Sequence, residues 1–472
     1  MSHQPHTAPG DRVPFHHKAI YGAGAFVNNT LAAAIGGMSI ILNLGLGMDP
    51  ALVGLLGAIP RLTDALTDPI VGYLSDHTRS RWGRRRPWIF AGAISSGLVF
   101  ALLWQLPEGQ SERFYFWFFL LGSFVFYLAY TFFATPWVAL GYELTPDYHE
   151  RTRLMGVQNF LGQLAYVVSP WFLWVMSNEL WFKDQATGAS RLAMVIGAVV
   201  IALGVLPAIF LRERFVAPVD EQTPKGFTAG MLDFGGGLLT TVRSRPFLQL
   251  SAATFLVFNG FILISSFQSY VIIYYVFGGD QVHGAEFAGY AGTLGAVSTF
   301  AVIPIVTWVG THYGKRRAFF FATGLSMVGY ALKWFAFDPA NPWLVLVPAP
   351  LMAFGLGGLF TLMPSMIADV VDVDELETHE RREGMYGSIF WWVVKLGMAA
   401  ALAGGGFLLN ATGFDVALGG EQTGQTIVLM RFFDAFVPVL ASAIAIAVIA
   451  MYPVTEESAR QVREELEARR VG

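Results

Sequence analysis

The sequence predicts an all-α integral membrane protein of twelve transmembrane helices in two six-helix halves. Three observations carry this. Apolar runs long enough to span a bilayer recur along the whole chain, the basic residues of the connecting loops alternate from side to side, and two short motifs recur at one offset. Composition agrees. The chain is 54% hydrophobic and only 14% charged, where soluble proteins are about 25% charged. Phe (40), Gly (51) and Trp (13) are abundant, as suits helices packed closely in lipid with aromatic rings at the interfaces. The small net charge of −4 says nothing about nucleic acid, and no basic stripe interleaved with aromatics suggests such a partner, so none is expected. There is no cysteine, which excludes disulfides, zinc–thiolate sites and cysteine nucleophiles.

The first 17 residues are polar, carry His3, His6, His16 and His17, and contain no apolar h-region. They read as a tail rather than a cleaved signal peptide or a metal site. Apolar runs of about 20 residues or more then follow at 18–46, 50–76, 88–106, 114–143, 153–178 and 191–211. Six more lie at 246–277, 286–310, 317–337, 343–370, 385–410 and 425–452. One set of loops holds Arg79, Arg81, Arg84, Arg85 and Arg86, then Arg151 and Arg153, then Arg212, Arg214, Lys225, Arg243 and Arg245. It continues with Lys315, Arg316 and Arg317, and with Arg381 and Arg382, whereas the other set holds only Arg113, Lys183 and Arg191. The positive-inside rule places the first set, and both termini, in the cytoplasm.

The chain therefore divides into an N-terminal tail (1–17), a first bundle (18–211), a central cytoplasmic loop (212–245), a second bundle (246–452) and a C-terminal tail (453–472). The last is a charged, solvated helix by its pattern. A repeat supports the halves. Gly83-Arg84-Arg85-Arg86 answers Gly314-Lys315-Arg316-Arg317, and His149-Glu150-Arg151 answers His379-Glu380-Arg381, both at an offset close to 230 residues. Two parallel six-helix repeats are the arrangement of the major facilitator fold, whose substrate site lies at the midplane.

The chemistry concentrates in RLTDALTDPIVGYLSDHTRSRWGRRRP, residues 61–87. Asp64 and Asp68 are four apart, so they share a helix face one turn from each other. Carboxylates at membrane depth are costly unless paired, protonated or bound to a cation. Two readings stay open on the residues alone. One is a structural charge cluster, neutralised in part by Arg61. The other is a site for Na⁺ or a proton, in which Thr67 and Thr131 add hydroxyls to the carboxylates. Hard oxygen donors favour Na⁺. Asp76, at the end of helix 2, can pair with Arg84, Arg85 and Arg86 as a cytoplasmic gate, or those arginines set orientation alone.

These motifs resemble a known family. RLTDALTDP followed by TRSRWGRRRPW is similar to the glycoside–pentoside–hexuronide:cation symporters, among which the melibiose permeases are the best known. YGAGAF, YTFFATPW, ELTPDYHERTRL and DVVDVDELETHERREGMYG extend the resemblance over nearly the whole chain. It implies that Asp64, Asp68 and Thr131 are cation ligands, that Thr67 occupies a position often held by Asn, and that Lys395 sits near the cation and sugar sites. Departures bear on the substrate. Asn28-Asn29 stands where galactoside carriers have a Lys-Asp pair, Ala134 where they have Asp, and Asn159 where they have Arg. Amides still donate to and accept from hydroxyls, so a sugar or glycoside remains the expected cargo. A lysophospholipid or other amphipathic solute is the alternative, since relatives on this fold move lysophospholipids.

Tyr130, Gln158, Asn159, Trp391 and Lys395 join Asn28 and Asn29 as substrate candidates, with Asn259, Gln268, Trp137 and Trp392 as further polar or aromatic groups at membrane depth. Lys333 is expected to snorkel at the outer end of helix 9, and Arg431 and Asp434 to form a pair on helix 12. No GxSxG, no intramembrane His cluster and no P-loop is present, and GLGGLF (355–360) reads as a packing stripe, so no enzyme is expected. The expected protein is a monomeric symporter of the inner (plasma) membrane. It needs no cofactor beyond its coupling ion.

Overall fold

The computed structural model describes residues 12–107, 109–145, 147–213, 244–378 and 383–471, and the side chains of Asp64 and Asp76 lie outside the described set. The chain forms two compact units, Met1–Pro224 and Lys225–Gly472. The first unit contains α1 (Phe15–Met38, prolonged by Ile40–Leu44), α2 (Pro50–His77), α3 (Arg86–Leu103), α4 (Glu112–Glu143), α5 (Tyr148–Val168) and α6 (Gln185–Phe210). The second contains α7 (Arg245–Val271, ending in a π turn at Ile272–Val276), α8 (Gln281–Tyr313), α9 (Lys315–Ala336) and α10 (Pro348–Thr378). It closes with α11 (Glu383–Ala411), α12 (Gly424–Ala450) and a short polar α13 (Glu456–Val471).

Among the described residues, eleven helices are long and apolar enough to cross a membrane. The remaining predicted span, α2, is a continuous helix of 28 residues. Its apolar stretch Pro50–Thr63 gives way to the turns that carry Asp64 and Asp68. The protein is an integral membrane protein, and the twelve-helix expectation holds.

Local chemistry starts the helices where the sequence allows it. Asp49 caps α2 through Ala51 N at 2.7 Å, with Pro50 at the first turn. Ser111 caps α4, Asp184 caps α6, Asp280 caps α8 and Thr423 caps α12. Each side-chain oxygen accepts a first-turn N–H that has no partner within its own helix.

Glycine sets the close crossings of the first unit. At the α3–α6 crossing, a Cβ on Gly97 would stand 2.7 Å from Gly197 O, and one on Gly197 would stand 2.5 Å from Gly97 O. At the α3–α4 crossing, a Cβ on Gly92 would stand 2.3 Å from Phe133 N. Backbones meet directly at both places, as small residues permit in lipid. The second unit packs around Phe247, Leu250, Phe319, Met363, Tyr386 and Phe390, with α7 against α11 and α12, and α10 against α8 and α9.

Two expectations for the second unit are corrected. Lys333 does not snorkel: it is 2% exposed, and its Nζ lies 2.5 Å from Asp434 Oδ1. Arg431 is accordingly not the partner of Asp434. Its guanidinium lies between the rings of Tyr275 and Trp334, at 4.0 and 4.6 Å, and it donates to Trp334 O at 2.7 Å. A buried ion left alone costs about 3–5 kcal/mol, so Asp434 on α12 is answered by the lysine that α9 brings to it.

A second ion cluster ties the start of the first unit together. Glu150, in the first turn of α5 after the Asp147 cap, is 2% exposed. It accepts from Val13 N at 3.0 Å, meets Lys18 Nζ at 2.7 Å and pairs with Arg153 at 3.2 Å. Burial by itself raises the Glu150 carboxyl, but Lys18, the Val13 N–H and Arg153 overcome it and hold the group below the usual carboxylate value. A carboxyl whose folded pKa is depressed stabilises the fold above its unfolded pKa and loses that contribution as pH falls through the folded value. Glu150→Gln is therefore expected to cost about 1–3 kcal/mol near neutral pH. In thermal unfolding of the purified protein, the gap between wild type and variant should close as the pH is lowered through the carboxylate range.

Candidate functional site

The polar groups of the first unit gather on the facing sides of α2 and α4, with α1 and α5 alongside. Thr131 and Thr135 are four apart, so both lie on one face of α4, and this face meets the α2 turn that holds Thr67 and Asp68. Thr67 Oγ1 is 3.4 Å from Thr131 Oγ1. Thr135 Oγ1 donates to Asp68 Oδ1 at 3.2 Å. Thr131 is fully buried. One turn before Asp64, the Arg61 guanidinium lies 5.8 Å over the Tyr127 ring of α4. These two hydrogen bonds join a carboxylate and hydroxyls, oxygen donors of the kind that hard cations take. Among the described residues no three His, Asp or Glu side chains converge. Asp64 stands one turn before Asp68 on α2, and its side chain lies outside the described residues.

A hydrogen-bonded chain runs beside this cluster. Tyr130 on α4 donates to Asn28 Oδ1 at 2.8 Å, Asn28 Nδ2 donates to Asn29 Oδ1 at 3.3 Å, and Asn29 Nδ2 donates to the Gly162 carbonyl of α5 at 3.0 Å. Three helices are thus linked by neutral groups at the positions predicted to face substrate. On α5, Gln158 is half-buried and Asn159 is exposed. Trp137 belongs to the packing: it is buried, its Nε1 donates to Tyr21 O at 3.2 Å, and it stacks on Tyr21 at 5.0 Å. In the second unit, Trp391 of α11 is 53% exposed and stacks on Phe360 at 6.0 Å, with Lys395 one turn further along and half-buried. Asn259 spends its amide on its own helix, donating to Phe255 O at 2.6 Å.

The arginine loop is organised by two glutamates absent from the predicted gate. Glu143, at the end of α4, binds both Arg84 and Arg85, the latter at 2.7 Å, and Arg85 also donates to Ala139 O at 2.8 Å. Glu213, just past α6, accepts the backbone N–H groups of Arg84, Arg85 and Arg86 at 3.0, 2.8 and 3.2 Å. It thereby caps α3 from another helix. Arg86 returns the favour, donating from Nε to Ala208 O at 2.6 Å and from Nη2 to Ile209 O at 3.0 Å, where α6 runs out of internal donors. Gly83 makes the approach possible, because its φ is 106° and a Cβ there would stand 2.6 Å from Glu213 Oε1. The Asp76 side chain, proposed from sequence as the partner of these arginines, lies outside the described residues.

Residues 20–456 match the family model described as MFS/sugar transport protein. Among curated relatives, the isoprimeverose transporter of Lactiplantibacillus pentosus is 24% identical, over 86% of this chain and 82% of that protein. The sodium-dependent lysophosphatidylcholine symporter 1 of Mus musculus is 23% identical, over 96% of this chain and 88% of that protein. Among solved structures, a bacterial homolog of the human lysosomal transporter Spinster, inward-facing and unoccupied, shares the fold with a TM-score of 0.64 at 14% identity. That match covers 95% of this chain and 97% of the other.

Removing the Glu213 carboxylate leaves three backbone N–H groups at the start of α3 without their acceptor, those of Arg84, of the capping residue Arg85 and of Arg86. Glu213→Ala is expected to lower stability by about 1.5–3 kcal/mol. Amide hydrogen exchange should rise first at Arg84, Arg85 and Arg86, while exchange within the middle of α3 changes little.

Proposed function

The chain belongs to the MFS/sugar transport protein family, and on that footing we propose that it is a Na⁺-coupled symporter of a sugar or glycoside. It is a membrane transporter rather than an enzyme, as the members of this family are. The observation that carries the coupling-ion reading is the all-oxygen cluster of Asp68, Thr67, Thr131 and Thr135 on α2 and α4, one turn from Asp64.

Na⁺ binds first at Asp64 and Asp68, cancels the repulsion between the two carboxylates and takes hydroxyl oxygen from Thr67 and Thr131. Substrate then binds more tightly. The coupling is a free energy shared by the two ligands, so each raises the affinity for the other by the same factor. The loaded carrier exchanges between outward-open and inward-open states. A membrane potential adds about 2.3 kcal/mol per charge for every ~100 mV to the drive on the inward step. The alternation of basic loops supports a reading in which both termini lie in the cytoplasm and the carrier works as a monomer in the inner (plasma) membrane.

The neutral chain of Tyr130, Asn28 and Asn29 suits an uncharged polyol, whose hydroxyls both donate and accept, and the isoprimeverose carrier is a relative of this kind. Gln158, Asn159, Trp391 and Lys395 are the further substrate candidates that the sequence offers. A second reading, a lysophospholipid cargo, is favoured by the mouse relative and by Ala134 and Asn159 where galactoside carriers place charge. Uptake into vesicles separates the readings, with an imposed Na⁺ gradient and a panel of glycosides against a lysophospholipid. Asp64→Asn and Asp68→Asn are each expected to abolish Na⁺-driven uptake while the protein still reaches the membrane. Undiminished Na⁺-driven uptake in both variants would refute the site.

A further inference from the structure

Thr135 was not among the residues that sequence alone marked, and its side chain behaves unlike four threonines elsewhere in the membrane helices. Thr254, Thr299, Thr307 and Thr361 each turn their hydroxyl back to the carbonyl four residues earlier, at 2.6–3.1 Å. That is the ordinary fate of a threonine within a helix. Thr135 instead reaches across to the neighbouring helix and donates to Asp68 Oδ1 at 3.2 Å.

The surroundings hold it in that pose. Its methyl Cγ2 lies 3.6 Å from where a Cβ of Gly72 would stand, and Gly72 is one turn beyond Asp68 on α2. Behind it, Gly92 admits the α4 backbone so closely that a Cβ would stand 2.3 Å from Phe133 N. Pro136, inside α4, removes one backbone donor from the same turn. The segment from Thr131 to Pro136 is thus braced from α3 and turned toward α2.

We propose that Thr135 is a positioning residue of the cation site, whose hydroxyl clamps the Asp68 carboxylate against α4 beside the Thr67–Thr131 pair. The proposal rests on the cation site put forward above. It assigns Thr135 a role that Ala134, its neighbour at the position where galactoside carriers have Asp, does not fill. With the hydroxyl removed, Asp68 loses its tie to α4 and the donor set is no longer held ready for the ion.

The test is Na⁺-dependent thermal stabilisation of the purified chain, titrated against choline at matched ionic strength. A ligand that binds only the folded state raises its stability by RT ln(1 + L/Kd), with L the free ligand concentration. Thr135→Val keeps the shape and deletes only the hydroxyl. A hydrogen bond to a charged group is worth about 1.5–3 kcal/mol, so the Na⁺ concentration that gives a set rise in melting temperature should increase by about tenfold or more. Thr135→Ser should return it to within about twofold of wild type. A Thr135→Val protein with the wild-type Na⁺ dependence overturns the proposal and leaves the cation site standing, whether or not its melting point in choline has fallen. Absence of any Na⁺ response in wild type removes the cation site, and the proposal with it.

Discussion

Hydrocarbon offers no partner to a charge, so an ion carried into a bilayer by a helix must be answered from within the protein. That constraint orders this molecule. In the second unit Asp434 would be untenable alone, and α9 delivers Lys333 to it in a fully buried pair. At the arginine-bearing end of the first unit, Glu143 and Glu213 gather Arg84, Arg85 and Arg86, and α3 and α6 cap one another through Glu213 and Arg86. At Asp68 one answer is a hydroxyl, which Thr135 of α4 donates at 3.2 Å. A carboxylate set beside hydroxyl oxygens offers the donor type that hard cations take.

Stability and function divide along that line. Lys333–Asp434 and the Glu150 cluster are closed: each carboxylate has its cation within the chain, and packing around them is tight. The α2–α4 face is differently built. Thr67, Thr131 and Thr135 supply acceptor lone pairs as well as donors, and glycines at 72 and 92 let the helices carrying them approach. Neutral amides extend the same surface through Asn28 and Asn29 to α5. Such groups suit reversible binding, because hydroxyls and amides can exchange partners at small cost.

Much of this was legible in the sequence. Twelve apolar runs announce the spans, since length and hydropathy are fixed by the bilayer. Asp64 and Asp68 stand out because charge in an apolar run is rare. Other features depend on which helices meet, and sequence does not record that. Lys333 and Asp434 lie 101 residues apart, whereas Arg431, three residues from Asp434, offers the nearer but incorrect pairing. Glu143 and Glu213 sit at helix ends, where charge reads as orientation alone. Thr135 was hidden because threonines in membrane helices commonly bond to their own backbone, and only the register of α4 against α2 singles it out. The cation motif was visible as two carboxylates, while its hydroxyl wall became complete only in three dimensions.

The central claim is that a cation binds at Asp68 and Asp64 between the oxygens of α2 and α4. Equilibrium binding of radioactive Na⁺ to the purified chain, with excess K⁺ holding ionic strength constant, tests it most directly. The account predicts saturable Na⁺ binding in wild type that disappears in Asp68→Asn. Saturable binding that survives that substitution, or no binding to wild type at all, would contradict it.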